Sequence, residues 1–232
     1  TAFYALSFTY TTPLRAALLL RAAIGLSFLN QGLWVALSLC FSATLAYALC
    51  FSLRQHVQSL VLAFLTAIGL VILWIMAAKG YPYWWQQWQL WHLQQIDWPQ
   101  TRALIKSGRD LLWFLWPTWP LVVVALWQWR SWLRFAHIAI PLSLLIGPLC
   151  LLLFSTEAFE PEYALLVVPC AVLAAFALPT LRRGAINSFD WFAVMCFSLF
   201  AAAVWLGWIA QHTGWPPKIA HSIHRQTQGF DT

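Results

Sequence analysis

The residues best suited to chemistry stand between positions 79 and 110. Arg102, Lys106 and Arg109 are spaced i, i+4, i+7, which stacks three cations on one face of a helix. Guanidinium and ammonium groups in that arrangement give charge-assisted hydrogen bonds to phosphate oxygens. The same groups also snorkel to lipid headgroups, so both readings stand. Lys79 can contribute to either. Trp84, Trp85, Trp88 and Trp91 recur at helical spacing and share a face, with His92 and Gln95 at its edge. Gln86, Gln89 and Gln94 are directed away. Such a helix lies in the plane of a membrane surface with its indoles among the headgroups. It is an aromatic anchor or, in a sharper reading, one wall of a groove for a lipid substrate.

Other titratable groups are fewer. Glu157, Glu160 and Glu162 precede Tyr163 in a short loop, and clustered carboxylates could hold a divalent cation or act as a base. No second ligand cluster accompanies them, so a solvated loop is the simpler reading. Asp190 follows Arg182 and Arg183 closely enough for a local ion pair. His212, His221 and His224 lie near the C-terminal end, and the pair three apart is a weak metal signature. The five cysteines, Cys40, Cys50, Cys150, Cys170 and Cys196, all fall in apolar runs, and none makes a CxxC pair. They read as small packing residues. No metal site is assigned, and a divalent cation is the one cofactor left open.

The elements that position these residues follow from composition. The 232 residues are 62% hydrophobic and 9% charged, with a mean hydropathy of +0.70. Soluble domains carry roughly a quarter charged residues, so a soluble globule, a disordered chain and a collagen-like chain are excluded. Seventeen tryptophans suit a protein with aromatic belts at a membrane interface. No acidic residue precedes Asp97, as expected where carboxylates would sit in hydrocarbon. The net charge of +6 comes from bases placed between apolar runs, which indicates topology and not a nucleic-acid partner.

A span needs roughly 20 apolar residues. Candidates are 14–30, 33–52, 59–78, 111–128, 137–155, 163–180 and 189–210. The first contains Arg21, which suits a shallow or re-entrant helix, and Asn30-Gln31-Gly32 makes a tight turn into the second. Arg15, Arg54, Arg130, Arg134, Arg182 and Arg183 fall on one side, in very short loops with almost no acid, which places that side in the cytoplasm. Segment 79–110, loop 156–162 and the tail then face outward. The expected fold is an all-α polytopic membrane protein of about six to seven transmembrane helices, with an outward-facing amphipathic juxtamembrane helix. Residues 1–232 form one transmembrane domain. The chain begins at Thr1 inside an apolar segment and is expected to be the C-terminal part of a longer protein.

Several motifs, in order, resemble the C-terminal membrane half of GT-C glycosyltransferases of the protein O-mannosyltransferase-like and aminoarabinose-transferase-like type. Gly25-Leu26-Ser27-Phe28-Leu29-Asn30-Gln31-Gly32 is similar to the family's GLAFLTKG turn. Trp91-His92-Leu93-Gln94-Gln95-Ile96 stands where an EHxxRF-like juxtamembrane segment occurs. Trp113 to Pro120 resembles the aromatic, proline-containing span that follows. Ser155 to Pro169 resembles the Y-L-L-P-x-x-P pattern that opens a later span. Gln31 replaces the family lysine, Trp91 the glutamate, Gln95 the arginine and Leu166 the first proline.

The resemblance implies a bacterial inner-membrane enzyme that transfers a glycosyl group from a polyprenyl-phosphate sugar to a periplasmic acceptor. It implies that His92 and Tyr163 lie near the carrier phosphate. It also implies that the general base belongs to an earlier outward loop, so no catalytic residue is assigned here. The chain would supply the carrier-lipid groove, with Arg102, Lys106, Arg109, Lys79, His92 and Tyr163 around the phosphate. The expected partners are membrane lipid and the polyprenyl-phosphate donor. Two other classes compete: a transporter or flippase of a lipid-linked substrate, and a non-catalytic membrane subunit.

Overall fold

The computed structural model describes the chain except for residues 1, 8, 10, 11, 99, 100, 156–159 and 227–232, and except for the side chains of residues 3, 4, 102, 103, 160–162, 224 and 226. It is 88% helical, without strands among the described residues, an all-α fold compatible with a polytopic membrane protein. The helices are α1 (Ala2–Ser7), α2 (Pro13–Gln31), α3 (Leu33–Leu49), α4 (Phe51–Arg54), α5 (Val57–Lys79), α6 (Pro82–Gln94), α7 (Thr101–Phe114), α8 (Thr118–Gln128), α9 (Ala136–Phe154), α10 (Glu160–Ala177), α11 (Arg183–Thr213) and α12 (Pro217–Gln226). Five helical stretches are long and apolar enough to cross a membrane, or six if the bent pair α7–α8 counts as one.

Where composition suggests one domain, the chain divides into two compact units, Thr1–Thr180 and Leu181–Thr232. The second unit is α11 and α12. At 31 residues, α11 runs about 46 Å, more than a bilayer core of roughly 30 Å. Almost no side chain along it is buried. It ends at Gly214, whose φ of +70° is the left-handed conformation that closes helices.

In the first unit, α3 and α9 pack most closely, and the reason lies in small side chains. Ser38 and Ser42 on α3, and Ser143 and Gly147 on α9, are each spaced i, i+4, and all four are buried. Each serine hydroxyl is satisfied within its own helix: Ser38 donates to Val35 O at 2.8 Å, Ser42 to Ser38 O at 2.9 Å and Ser143 to Ile140 O at 2.8 Å. Lipid tails are as apolar as leucine, so membrane helices associate through close backbone approach at such small residues. The main core lies beside this seam and joins α2, α3, α5 and α9 through residues such as Leu20, Ile24, Phe28, Ala43, Ala63 and Ile140.

Two expected spans differ from what forms. Segment 33–52 is continuous only to Leu49, because Cys50 is extended, at φ −94° and ψ 117°. The freed end of α3 is capped from beyond the break, where the Arg54 guanidinium donates to the Ala48 carbonyl. Segment 111–128 is not one helix. It is the junction of α7 and α8, which meet at 92°. Pro117 has no N–H to donate, and its ring excludes the carbonyl one turn back, so α7 stops. Helical bonding restarts from Leu115 O, which accepts from Thr118 N at 2.7 Å and Trp119 N at 3.1 Å.

The ends of the first unit are chemically distinct. Arg54 and Arg134 both lie over the Phe51 ring, at 5.1 and 5.7 Å, and Arg130 lies over Trp127 at 5.1 Å. Arg54 and Arg134, from separate loops, thus share one end. The other end gathers Gly32, α6 and the end of α9, where Asp97 N donates to Phe154 O at 3.0 Å.

Gly147→Ala should lower stability in detergent by ~1–3 kcal/mol, because the added Cβ would meet Ser42 Oγ at 1.9 Å and Ser38 O at 2.6 Å. Gly69→Ala, with nothing within 4 Å of the new atom, serves as the neutral control in thermal unfolding. Equal melting temperatures for the two variants would contradict the close seam.

Candidate functional site: the indole shelf and the α7–α8 elbow

The chain turns from α2 into α3 on a single residue. Gly32 adopts φ +89° and donates to Phe28 O at 3.0 Å. Its missing side chain makes room for a neighbour, because a Cβ there would stand 2.5 Å from His92 Nε2. That ring nitrogen accepts the Leu33 N–H at 2.9 Å. The imidazole proton therefore sits on Nδ1, which donates to Trp88 O at 2.8 Å. A third bond runs the other way, from Trp34 Nε1 to His92 O at 2.8 Å. His92 is 4% exposed.

This geometry changes the expected role of His92. Both ring nitrogens are engaged and Nε2 acts as an acceptor, so the side chain has no donor for a phosphate. It is a latch holding α6 to the α2–α3 corner. Burial lowers its pKa below the usual 6.5, and the bond to the Trp88 carbonyl opposes part of that shift.

The four expected indoles divide between two tasks. Trp88 turns inward and packs against the core, with its ring 6.2 Å from Phe28 and 5.0 Å from Trp74. Trp85 stacks on Trp88 at 5.3 Å and 16° between planes. Trp84 and Trp91 are exposed, at 71% and 48%. The face is thus a docking surface toward α2 and α5 as much as a membrane anchor. It leaves a groove of about 400 Å³ lined by Trp74, Tyr81, Trp84, Trp85, Trp88 and Trp91. Lys79 stands at its rim with Nζ 6.0 Å from the Trp85 ring centroid.

The expected phosphate residues do not all converge. Lys79 and His92 belong to this shelf. Lys106 and Arg109 lie on α7, both exposed, while the side chain of Arg102 is outside the described residues. Arg109 Nε makes a 3.4 Å contact with Asp110 Oδ1, a partly exposed pair of little strength that leaves the outer guanidinium nitrogens available. Tyr163 is 6% exposed and its ring lies 5.7 Å from Phe114, so it stands at the end of α7. Of the carboxylates in the loop before it, Glu157 is outside the described residues, as are the side chains of Glu160 and Glu162. Among the described residues no three His, Cys, Asp or Glu side chains gather as a metal site.

Trp113 follows Arg109 by four residues, so the cationic stripe runs directly into it. Trp113, Trp116, Trp119 and Leu112 line a groove of about 420 Å³ at the bend. Trp119 Nε1 is buried there without an acceptor among the described residues. Buried indole N–H groups nearly always have a partner, which makes this one unusual.

Acid should loosen the shelf. A depressed pKa means that the unfolded chain binds a proton before the folded one does. The contribution of His92 is therefore complete above about pH 6.5 and declines as the pH falls below it. His92→Ala should destabilise the protein by ~1–3 kcal/mol at neutral pH, because the Leu33 N–H loses its acceptor. It should also flatten the fall in melting temperature between pH 7 and 5. Parallel pH profiles for parent and variant would rule the latch out as the acid-sensitive contact.

No protein-family model, no curated protein and no solved structure matches this chain, so its geometry is the ground for a functional reading.

Proposed function

We propose that this multi-pass membrane chain supplies the carrier-lipid groove of a GT-C-like glycosyltransferase in a bacterial inner membrane, which moves a glycosyl group from a polyprenyl-phosphate donor to a periplasmic acceptor. The observation that carries the reading is the stripe of Lys106 and Arg109 leading to Trp113 and the elbow groove, where Trp119 Nε1 awaits an acceptor. A polyprenyl phosphate has the matching halves. Its phosphate needs cationic donors, and its isoprenoid chain needs an apolar, aromatic-lined channel at membrane depth. In such a transfer the carrier phosphate leaves with the bonding electron pair, and cations positioned at it stabilise the developing charge. Tyr163 of α10 packs its ring 5.7 Å from Phe114, at the end of the helix that carries the cations.

The broken α7–α8 pair and Arg21 within α2 support a second reading, a transporter or flippase of the same lipid-linked substrate. Transporters place their sites at discontinuous helices and mark them with intramembrane charge. Movement of a fluorescent polyprenyl phosphate across vesicles containing the protein would favour that reading.

The groove itself is tested by binding. The full chain in detergent should bind a short polyprenyl phosphate much more tightly than the matching polyprenol, followed by tryptophan fluorescence. Lys106→Gln with Arg109→Gln should weaken the phosphate lipid about tenfold or more and leave the alcohol unchanged, since each lost charge-assisted bond is worth ~1.5–3 kcal/mol. Trp119→Phe should weaken it several-fold. Unchanged affinity in these variants would overturn the proposal.

A further inference from the structure

The shelf groove is separate from the elbow, and its chemistry differs. Five indoles, the Tyr81 phenol, Ala78 and a single amide, Gln87, form its walls, and little of the lining surface is polar. Hydroxyl-rich ligands such as sugars would find few partners there for their O–H groups, and each unpaired polar group costs free energy. A quaternary ammonium carries charge but no N–H, and ring faces attract it through their quadrupoles. The protein already places a cation on this surface, since Lys79 Nζ lies 6.0 Å from the Trp85 centroid. No carboxylate occurs anywhere before Asp97, and among the described residues Lys79 forms no ion pair. A positive charge at the membrane surface without an acidic partner is matched by an anion from the lipid. The groove lies where α5 ends and α6 begins, which is headgroup depth if α5 crosses the bilayer.

We propose that this groove binds the headgroup of a choline-type phospholipid, with the quaternary ammonium against Trp84, Trp85 and Trp91 and the phosphate on Lys79. The ligand is a membrane lipid that holds α6 in place, and the site stands independently of the carrier-lipid reading because it shares no residue with the elbow. Binding moves Lys79 from the Trp85 face to the phosphate and gives that face to the headgroup cation.

The test uses the full chain in a detergent without choline, titrated with short-chain phosphatidylcholine below its micellar concentration and with phosphatidylglycerol of the same chains. Tryptophan fluorescence reports binding. Phosphatidylcholine should bind several-fold more tightly. Trp84→Leu should weaken it about three- to tenfold, whereas Trp84→Phe, which keeps a ring face, should retain most of the affinity. Lys79→Gln should weaken both lipids. Trp84 is 71% exposed, so these variants should melt with the parent. Equal affinity for the two lipids, or Trp84→Leu binding as well as Trp84→Phe, would overturn the proposal.

Discussion

A glycine without a side chain and a histidine that fills the vacant space hold the outer end of this protein together. Gly32 lets α2 reverse into α3 on one residue, and the His92 ring stands where any other side chain would begin. The reversal leaves the Leu33 N–H without a helical partner, and His92 Nε2 supplies one. The Trp34 indole then ties the same corner to the His92 carbonyl. With those bonds in place α6 is fixed across the bundle end. Its inward indole meets Phe28 and Trp74, and its outward indoles enclose a groove. Without the latch, α6 would be an amphipathic helix free to follow the membrane surface, and the groove between it and α5 would have no defined width.

The bilayer explains much of the remaining design. Hydrocarbon offers no hydrophobic gain for bringing one helix to another, so contact depends on how closely backbones approach. The α3–α9 seam meets that need with serines and a glycine whose polar groups are satisfied within their own helices. Most charge lies at the ends, with Arg21 inside α2 the exception. Arginines from different loops share the Phe51 ring at one end, while lysine and arginine on α7 accompany indoles at the elbow. Cationic and aromatic groups, with almost no acids, suit a surface that meets anionic or zwitterionic headgroups.

Two sites emerge from similar residue types through different geometry. At the elbow, a proline stop turns the chain through 92° and an indole N–H has no acceptor among the described residues, which is the ground for the proposed anionic lipid. At the shelf, indole rings line an apolar groove with Lys79 near the Trp85 face, which is the ground for the proposed quaternary ammonium. The distinction comes from what each ring presents, an edge donor at Trp119 and faces at Trp84 and Trp85.

The sequence alone determined residence in the membrane, most helix positions and the tight corner at Gly32, because these depend on local composition and short-range periodicity. It also determined that Trp84, Trp85, Trp88 and Trp91 share a face, which helical spacing requires. Tertiary structure decided what that face meets. His92 pairs with Leu33 across 59 positions of chain, and no local pattern encodes such a contact. The same holds for the inward turn of Trp88 toward Phe28 and Trp74. The break within 111–128 is intermediate: its prolines are visible in the sequence, but membrane helices often tolerate proline as a kink. Only packing around the junction decides between a kink and a full turn, because neighbours determine whether the freed carbonyls are satisfied in a continuing helix or in a new one.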